Sequence, residues 1–194
     1  HTNPNPPMHI KQALMFGEKH AVLEQERVHT IQSISGTGSL RLAMDFLKQE
    51  LPADVTVFIP SVTWGNHPAM CKAVGLKHAT YSYLDAAGTG LDFERMLRDI
   101  SAAPERSVVL LHAIAHNPTG VDPTVEQWDT LREAMQARHL LPLFDNAYQG
   151  FVSGDPHLDA YVHAHLCVCR CLALALANTP FSLTHSLSHT HTYT

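Results

Sequence analysis

Positive charge is in short supply in this sequence. Its 194 residues hold 13 Lys+Arg against 18 Asp+Glu, a formal net charge of -5, and the pI is near 6.3. A binder of nucleic acid or of anionic membrane surfaces needs a basic face, and this balance argues against one. Cysteine is sparse as well: four residues are too few for a disulfide scaffold. No apolar run reaches the roughly 18–20 residues that cross a bilayer. The opening HTNPNPPMHI is polar and proline-rich. It has neither the apolar core of a signal peptide nor the Arg-rich amphipathic pattern of a transit peptide. The chain starts at His1 rather than Met, as expected of a fragment or a processed product. What the sequence does have is apolar mass. With 45% hydrophobic and 16% charged residues, it can bury a sizeable core and form about one domain.

Charge is also unevenly spread. From His157 to Thr194 the only formal charges are Asp159 and Arg170, while three of the four cysteines and six of the fifteen histidines lie there. The closing SLTHSLSHTHTYT alternates His and Thr, as a translated CA repeat would. Two readings stand for the residues after about Pro156. They are read-through, frameshifted or unspliced sequence, or they are a genuine low-complexity, flexible terminus. A normal coding exon in the transcript would rule out the first. The expected organisation is a polar segment at 1–10, an ordered domain at 11–155 and an unstructured tail at 156–194. The tail carries His163-x-His165-x-Cys167-x-Cys169-x-Cys171, whose imidazoles and thiolates suit zinc or Cu(I). The every-second-residue spacing differs from a CxxC knuckle, and no resident metal is expected.

From Lys11 to Asp155 the apolar residues follow alternating strand and helix periods. HTIQSIS, VTVFIP, HATYSY, SVVLLHAIA and LLPLFD read as strands. Ser39 to Glu50, His67 to Val74, Phe93 to Ile100 and Glu126 to Arg138 read as helices. The unbroken apolar run SVVLLHAIA is that of a strand buried on both faces. Strands alternating with helices predict an α/β fold with a mostly parallel sheet. Ligands of such sheets sit beyond the carboxyl ends of the strands. That places Ser35 to Gly38, Trp64, His112 to Asn117 and Asp145 to Tyr148 on one rim.

Each of these segments has a functional and a structural reading. Ser35-Gly36-Thr37-Gly38 opens a helix, where free N–H groups and small residues can cradle a phosphate; the same residues make an ordinary N-cap. In His116-Asn117-Pro118-Thr119-Gly120, Asn117 either presents its amide to a ligand or merely ends a strand. Asp145 closes a buried strand and needs a cationic or hydrogen-bonding partner. A protonated cofactor ring nitrogen, an arginine or a helix N-terminus would serve, and Tyr148 can reach the same place. Trp64 either stacks on a planar ring or packs in the core. His67 and His112 either support the site from behind or are core histidines.

Taken together, SGTGSLRLA, PSVTWGNHPAM, VVLLHAIAHNPTGVDPTVEQW and LPLFDNAYQGFVSGD occur in an order that resembles the aspartate aminotransferases. These are class I aminotransferases of the fold-type I group, which use pyridoxal 5'-phosphate, and the resemblance runs from about residue 11 to 155. It implies a partial large domain of that fold and the exchange of L-aspartate and 2-oxoglutarate for oxaloacetate and L-glutamate. It implies that Ser35, Gly36 and Thr37 hold the cofactor phosphate and Trp64 stacks on the pyridine ring. It implies that Asp145 pairs with the ring nitrogen, and that Asn117 and Tyr148 hydrogen-bond the phenolic oxygen. Asn117 and Trp64 would also meet the substrate. His67 would support Asp145, with His112 close by.

The chain departs from the family where chemistry is made. The lysines are Lys11, Lys19, Lys48, Lys72 and Lys77, and none follows Asp145, where the family places its Schiff-base lysine. The family's second phosphate-binding arginine and its substrate-carboxylate arginine have no counterpart; Arg170 is the only arginine after Arg138. The expectation is therefore a chain inactive alone, with no catalytic residue assigned and with weak, non-covalent cofactor binding. A catalytically inactive remnant and a Cys/His metal module are the alternatives. Amino acid and 2-oxo acid partners and a homodimer are implied by the family, and neither nucleic acid nor membrane is expected as a partner. The cytoplasm is the expected compartment, with the mitochondrion as alternative. Uncovered sheet edges predict marginal solubility.

Overall fold

The computed structural model describes residues 12–18 and 20–160, and the backbone of two short strands within 161–194. Lys11, Lys19 and the His163 to Cys171 motif lie outside the described residues.

Four strands form one all-parallel sheet: β2 (Thr56–Pro60), β3 (Lys77–Tyr81), β4 (Val108–His112) and β5 (Leu141–Asp145), in the order β3-β2-β4-β5. The helices α4 (Asn66–Val74), α5 (Phe93–Ser101) and α6 (Val125–Ala137) fill the three connections between them. Each helix has its stop or start signal in the sequence. Asp92 accepts from the Arg95 N–H to cap α5, and Thr124 and Gln127 cap α6 reciprocally. Gly75 ends α4 in the left-handed region, at φ 72°, where a side chain would be strained.

Every residue of β4 is buried. Because strand side chains alternate between faces, this strand feeds two cores at once. Val108 and Leu110 join Val57, Ile59 and Leu143 under α4 and α3 (Ser35–Glu50), which contribute Met70, Leu40, Met44 and Leu47. Val109 and Leu111 join Phe144 under α5 and α6, which contribute Met96, Ile100, Trp128 and Leu131. The second core is closed by Met15 and Phe16 from helical residues 12–16 (α1) and by Val22 of α2 (Ala21–Glu24). Each fully buried Leu or Val side chain contributes about 1.5–3 kcal/mol, so covering both faces is what makes the apolar run of β4 favourable.

The structure differs from the sequence expectation in three places. The strand expected at HTIQSIS is confined to β1 (Val28–Ile31), and it lies outside the parallel sheet. It pairs antiparallel with β7 (Leu183–Ser186), which in turn pairs with β6 (Ala175–Leu176). Helix α3 begins at Ser35, not Ser39: Ser35 turns the chain at φ 56°, and the Ser39 hydroxyl donates back to the Ser35 carbonyl at 3.1 Å. Third, order continues past the boundary expected at residue 155. Asp155 caps α7 (Pro156–Asp159), and the buried Asp159 carboxylate accepts from the N–H groups of Gly150 (2.6 Å), Val152 (3.2 Å) and Ser153 (3.1 Å). Burial raises the Asp159 pKa, but the bonds from Ser153, Val152 and Gly150 outweigh it and hold the carboxyl below its usual range.

Candidate active site

The parallel register sets His112 of β4 directly beside Asp145 of β5, at the carboxyl ends of the two strands. The Ala113 N–H donates to the Asp145 carbonyl at 2.9 Å, extending the pairing one step beyond the strand. Both side chains are buried, at 6% exposure each. His67, on the first turn of α4, is fully buried and brings its Nε2 to 2.9 Å from Asp145 Oδ2.

Thr63 joins the two histidines. Its hydroxyl lies 2.7 Å from His67 Nδ1 and 2.9 Å from His112 Nε2. The backbone N–H of Asn117 points at His112 Nδ1, at a long 3.5 Å. An N–H can only donate, so His112 Nδ1 accepts and its proton is on Nε2. That proton goes to Thr63 Oγ1, the Thr63 proton to His67 Nδ1, and the His67 Nε2 proton to Asp145 Oδ2. One proton arrangement therefore satisfies every step with neutral imidazoles, and it ends on a carboxylate. Burial lowers the His112 pKa to about 2, with further lowering from His116 and His67. Burial also lowers His116, to about 4. The first of these favours the neutral His112 ring that the arrangement needs.

The chain of bonds leaves one atom over. Asp145 Oδ1 is buried and has no partner among the described residues. A buried, unpaired carboxylate oxygen costs free energy unless something donates to it. It marks where a donor from outside the chain fits.

Around this centre the other expected residues fall into place unevenly. Trp64 is half-buried, packs against the α3/α4 core and presents its ring edge-on to His67, 5.5 Å between centroids. Asn117 and Tyr148 line a shared open cavity of about 290 Å³ with His116, Pro118 and Phe151. Ser35, Gly36 and Thr37 open α3, and neither hydroxyl caps it. The N-cap position is Ile34, which makes no side-chain cap bond and is 81% exposed. The N-cap reading of these residues thus fails, and the first-turn N–H groups and the positive end of the helix dipole remain available to an anion. Among the described residues no hydrogen bond joins this helix start to Asp145. The connection runs through the packing of α3 on α4, which carries His67.

Thr63 and His116 carry no individual role in the sequence reading, although His116 opens the motif that ends at Gly120. The described residues hold no cluster of His, Cys, Asp and Glu able to bind a metal ion. They also hold no helix long and apolar enough to cross a membrane.

A parallel sheet covered on both faces, with a carboxylate at the carboxyl ends of its strands, is the large-domain architecture of a fold-type I pyridoxal-phosphate enzyme. The chain belongs to the aminotransferase class I and II family, whose profile matches residues 10–180. It is 49% identical over 147 residues to a cytoplasmic aspartate aminotransferase of Oryza sativa subsp. japonica, covering 76% of this chain and 36% of the relative. It is 50% identical over 147 residues to a mitochondrial aspartate aminotransferase of Dictyostelium discoideum, covering 76% of this chain and 34% of the relative. Its fold matches the aromatic-amino-acid aminotransferase of Burkholderia pseudomallei covalently bound to pyridoxal phosphate, with TM-score 0.86 and 30% identity, over 93% of this chain and 47% of that one. The chain thus spans about a third of the length of the curated relatives it matches. The family match also reaches beyond residue 155, into the stretch set apart by its composition.

Proposed function

We propose that this chain carries the non-covalent half of an aspartate aminotransferase-type cofactor site. The observation that carries the reading is Asp145, one oxygen of which is bonded by His67 while the other is buried and unpaired. A protonated pyridine nitrogen is a donor of matching chemistry. Pyridoxal phosphate, when bound, supplies an electron sink for charge developing on the carbon that bears the amino group. Asp145 would hold the proton on the ring nitrogen, with His67 and Thr63 fixing the carboxylate's orientation. The start of α3 with Ser35, Gly36 and Thr37 would bind the phosphate. Trp64 would cover one ring face and exclude water. Asn117 and Tyr148 would donate to the phenolic oxygen, and Asn117 and Trp64 would meet the incoming amino acid.

The described lysines do not reach this rim. Lys48 and Lys72 lie in the last turns of α3 and α4, and Lys77 begins β3. All three are exposed, and Lys48 Nζ donates to the Gly75 carbonyl at 3.0 Å, just before β3 begins. They therefore gather at the amino end of the sheet, opposite Asp145. Transamination between L-aspartate and 2-oxoglutarate, in a homodimer and in the cytoplasm, is the activity proposed for a complete protein of this kind. It needs a lysine that the described residues do not bring to the site.

The test is titration of the chain with pyridoxal phosphate, followed by absorbance, with Asp145→Asn alongside and borohydride reduction at the end point. Saturable binding weakened by Asp145→Asn, with no pyridoxyl-lysine after reduction, is expected. A site-specific pyridoxyl-lysine together with aspartate/2-oxoglutarate exchange would overturn the non-covalent reading. Absence of saturable binding would overturn the cofactor site itself.

A further inference from the structure

His116 sits in the loop after β4, yet it is only 1% exposed. Its ring stacks face to face on Tyr83, 3.8 Å between centroids and 17° between planes. Its other neighbour is the ring of His112, at 4.2 Å. Nδ1 lies 2.8 Å from Thr119 Oγ1. The backbone is held as tightly. Asp122 accepts from the N–H of Ala115 (2.7 Å) and of His116 (2.9 Å), the Gly120 N–H donates to the His116 carbonyl (2.7 Å), and the Tyr83 hydroxyl donates to the Val121 carbonyl (2.7 Å). Ala115, just before His116, has a φ of 50°, a left-handed conformation that a non-glycine residue keeps only when its surroundings over-determine it.

Over-determination of this kind calls for a reason, and the next residue supplies one. Asn117 has two tasks: its backbone N–H faces His112 Nδ1, and the residue lines the cavity it shares with Tyr148. Both depend on where the chain leaves His116. We propose that His116 is a positioning residue. Clamped between Tyr83 and His112, it sets the 115–122 turn so that Asn117 serves the cavity with its side chain while its N–H fixes the tautomer of His112. Through His112 and Thr63 this one ring governs which way the protons point along the bonds that end on Asp145. The inference rests on the cofactor site proposed above for its consequence, but not for its geometry.

The experiment uses the full chain labelled with ¹⁵N-histidine, as wild type, His116→Ala and His116→Phe. The phenylalanine keeps the stack on Tyr83 and loses only the bond to Thr119. Two readings are taken: the ring-nitrogen shifts of His112, which report its tautomer without ligand, and pyridoxal phosphate affinity by absorbance. Wild type is expected to show one His112 tautomer, protonated on Nε2. His116→Ala should convert it to a mixture and weaken pyridoxal phosphate roughly tenfold, the scale of one lost hydrogen bond, while inorganic phosphate binding stays unchanged. His116→Phe should fall between the two. An unaltered His112 tautomer in a folded His116→Ala chain would overturn the inference, as would an unaltered tautomer in His116→Phe if His116→Ala does not fold. Should wild type bind no pyridoxal phosphate, the cofactor reading falls, and the nitrogen shifts still decide the role of His116.

Discussion

The carboxyl ends of β4 and β5 and the start of α3, the two regions proposed above to hold the cofactor, are built in opposite ways. At the strand ends, His67, His112, His116 and Asp145 are all buried, and Thr63 ties His67 and His112 together. At the helix start, Ser35 and Thr37 are exposed, no side chain caps the first turn, and the nearby Ile31, Ile34 and Leu42 are exposed too. One end is organised before any ligand arrives. The other presents helix N–H groups that a ligand must itself satisfy. The difference follows from what each would bind. A ring nitrogen needs one donor–acceptor line of fixed direction in a dry place, where an electrostatic bond is strong. A phosphate has several oxygens and a full charge, and a cluster of backbone N–H groups serves it with less directional demand.

The sharpest way to break the comparison is Asp145→Ala. It removes the acceptor of the His67 Nε2 proton and leaves that buried group unpaired, a cost of about 1–3 kcal/mol. Loss of a charge-assisted bond to the cofactor should weaken pyridoxal phosphate roughly 10- to 100-fold. Inorganic phosphate affinity should not change, because the start of α3 makes no hydrogen bond to Asp145. Urea denaturation and two parallel titrations check this. Equal losses for both ligands would show that the two ends are not separately built.

A second difference appears with pH. His112 and His116 have ordinary values of 6.5, lowered by burial to about 2 and about 4. Below pH 6.5 the unfolded chain takes up protons on both rings while the folded chain does not. Stability is therefore complete above pH 6.5 and falls as pH drops through the window to about 4, continuing toward the lower value of His112. Urea midpoints measured from pH 8 to pH 4 should show this slope, and His112→Asn should flatten it. A slope unchanged by His112→Asn would place the titration elsewhere, for instance at His116.

How much of this was legible in the residues depends on how local each signal is. The parallel sheet could be read because β4 runs through four apolar residues before His112 and the helices between strands carry their own caps, such as Thr124 with Gln127. The placement of Asp145 and His112 on one rim followed from both ending strands. The link between them through Thr63 and His67 did not, because a threonine beside a tryptophan carries no pattern of its own until α4 turns His67 back onto it. The fate of β1 was illegible for a different reason. The residues VHTI do not alternate apolar and polar, although their burial does, and the partner, Leu183–Ser186, lies some 150 residues on, in a stretch whose composition hid its pairing. The start of α3 was misplaced by four residues because Ser, Gly and Thr are poor helix formers; their place in the helix is decided by the turn at Ser35, not by propensity.

That turn gives the smallest and most discriminating prediction. Ser35 holds φ 56°, where a side chain is strained and glycine is not. Among the described residues its hydroxyl makes no hydrogen bond, and its carbonyl accepts from Ser33 and Ser39. Ser35→Gly should therefore relieve strain and stabilise the chain by about 0.5–1 kcal/mol. In the same step it removes a hydroxyl donor from the proposed phosphate cup, and phosphate affinity should fall about three- to tenfold. The two effects have opposite signs, so neither can be mistaken for general damage to the fold. At the buried rim the same separation is impossible, because Asp145→Ala loses stability and cofactor affinity together. A Ser35→Gly chain that is more stable and binds phosphate as tightly as wild type would mean that the α3 backbone alone makes the cup, with the serine chosen for neither its side chain nor its conformation.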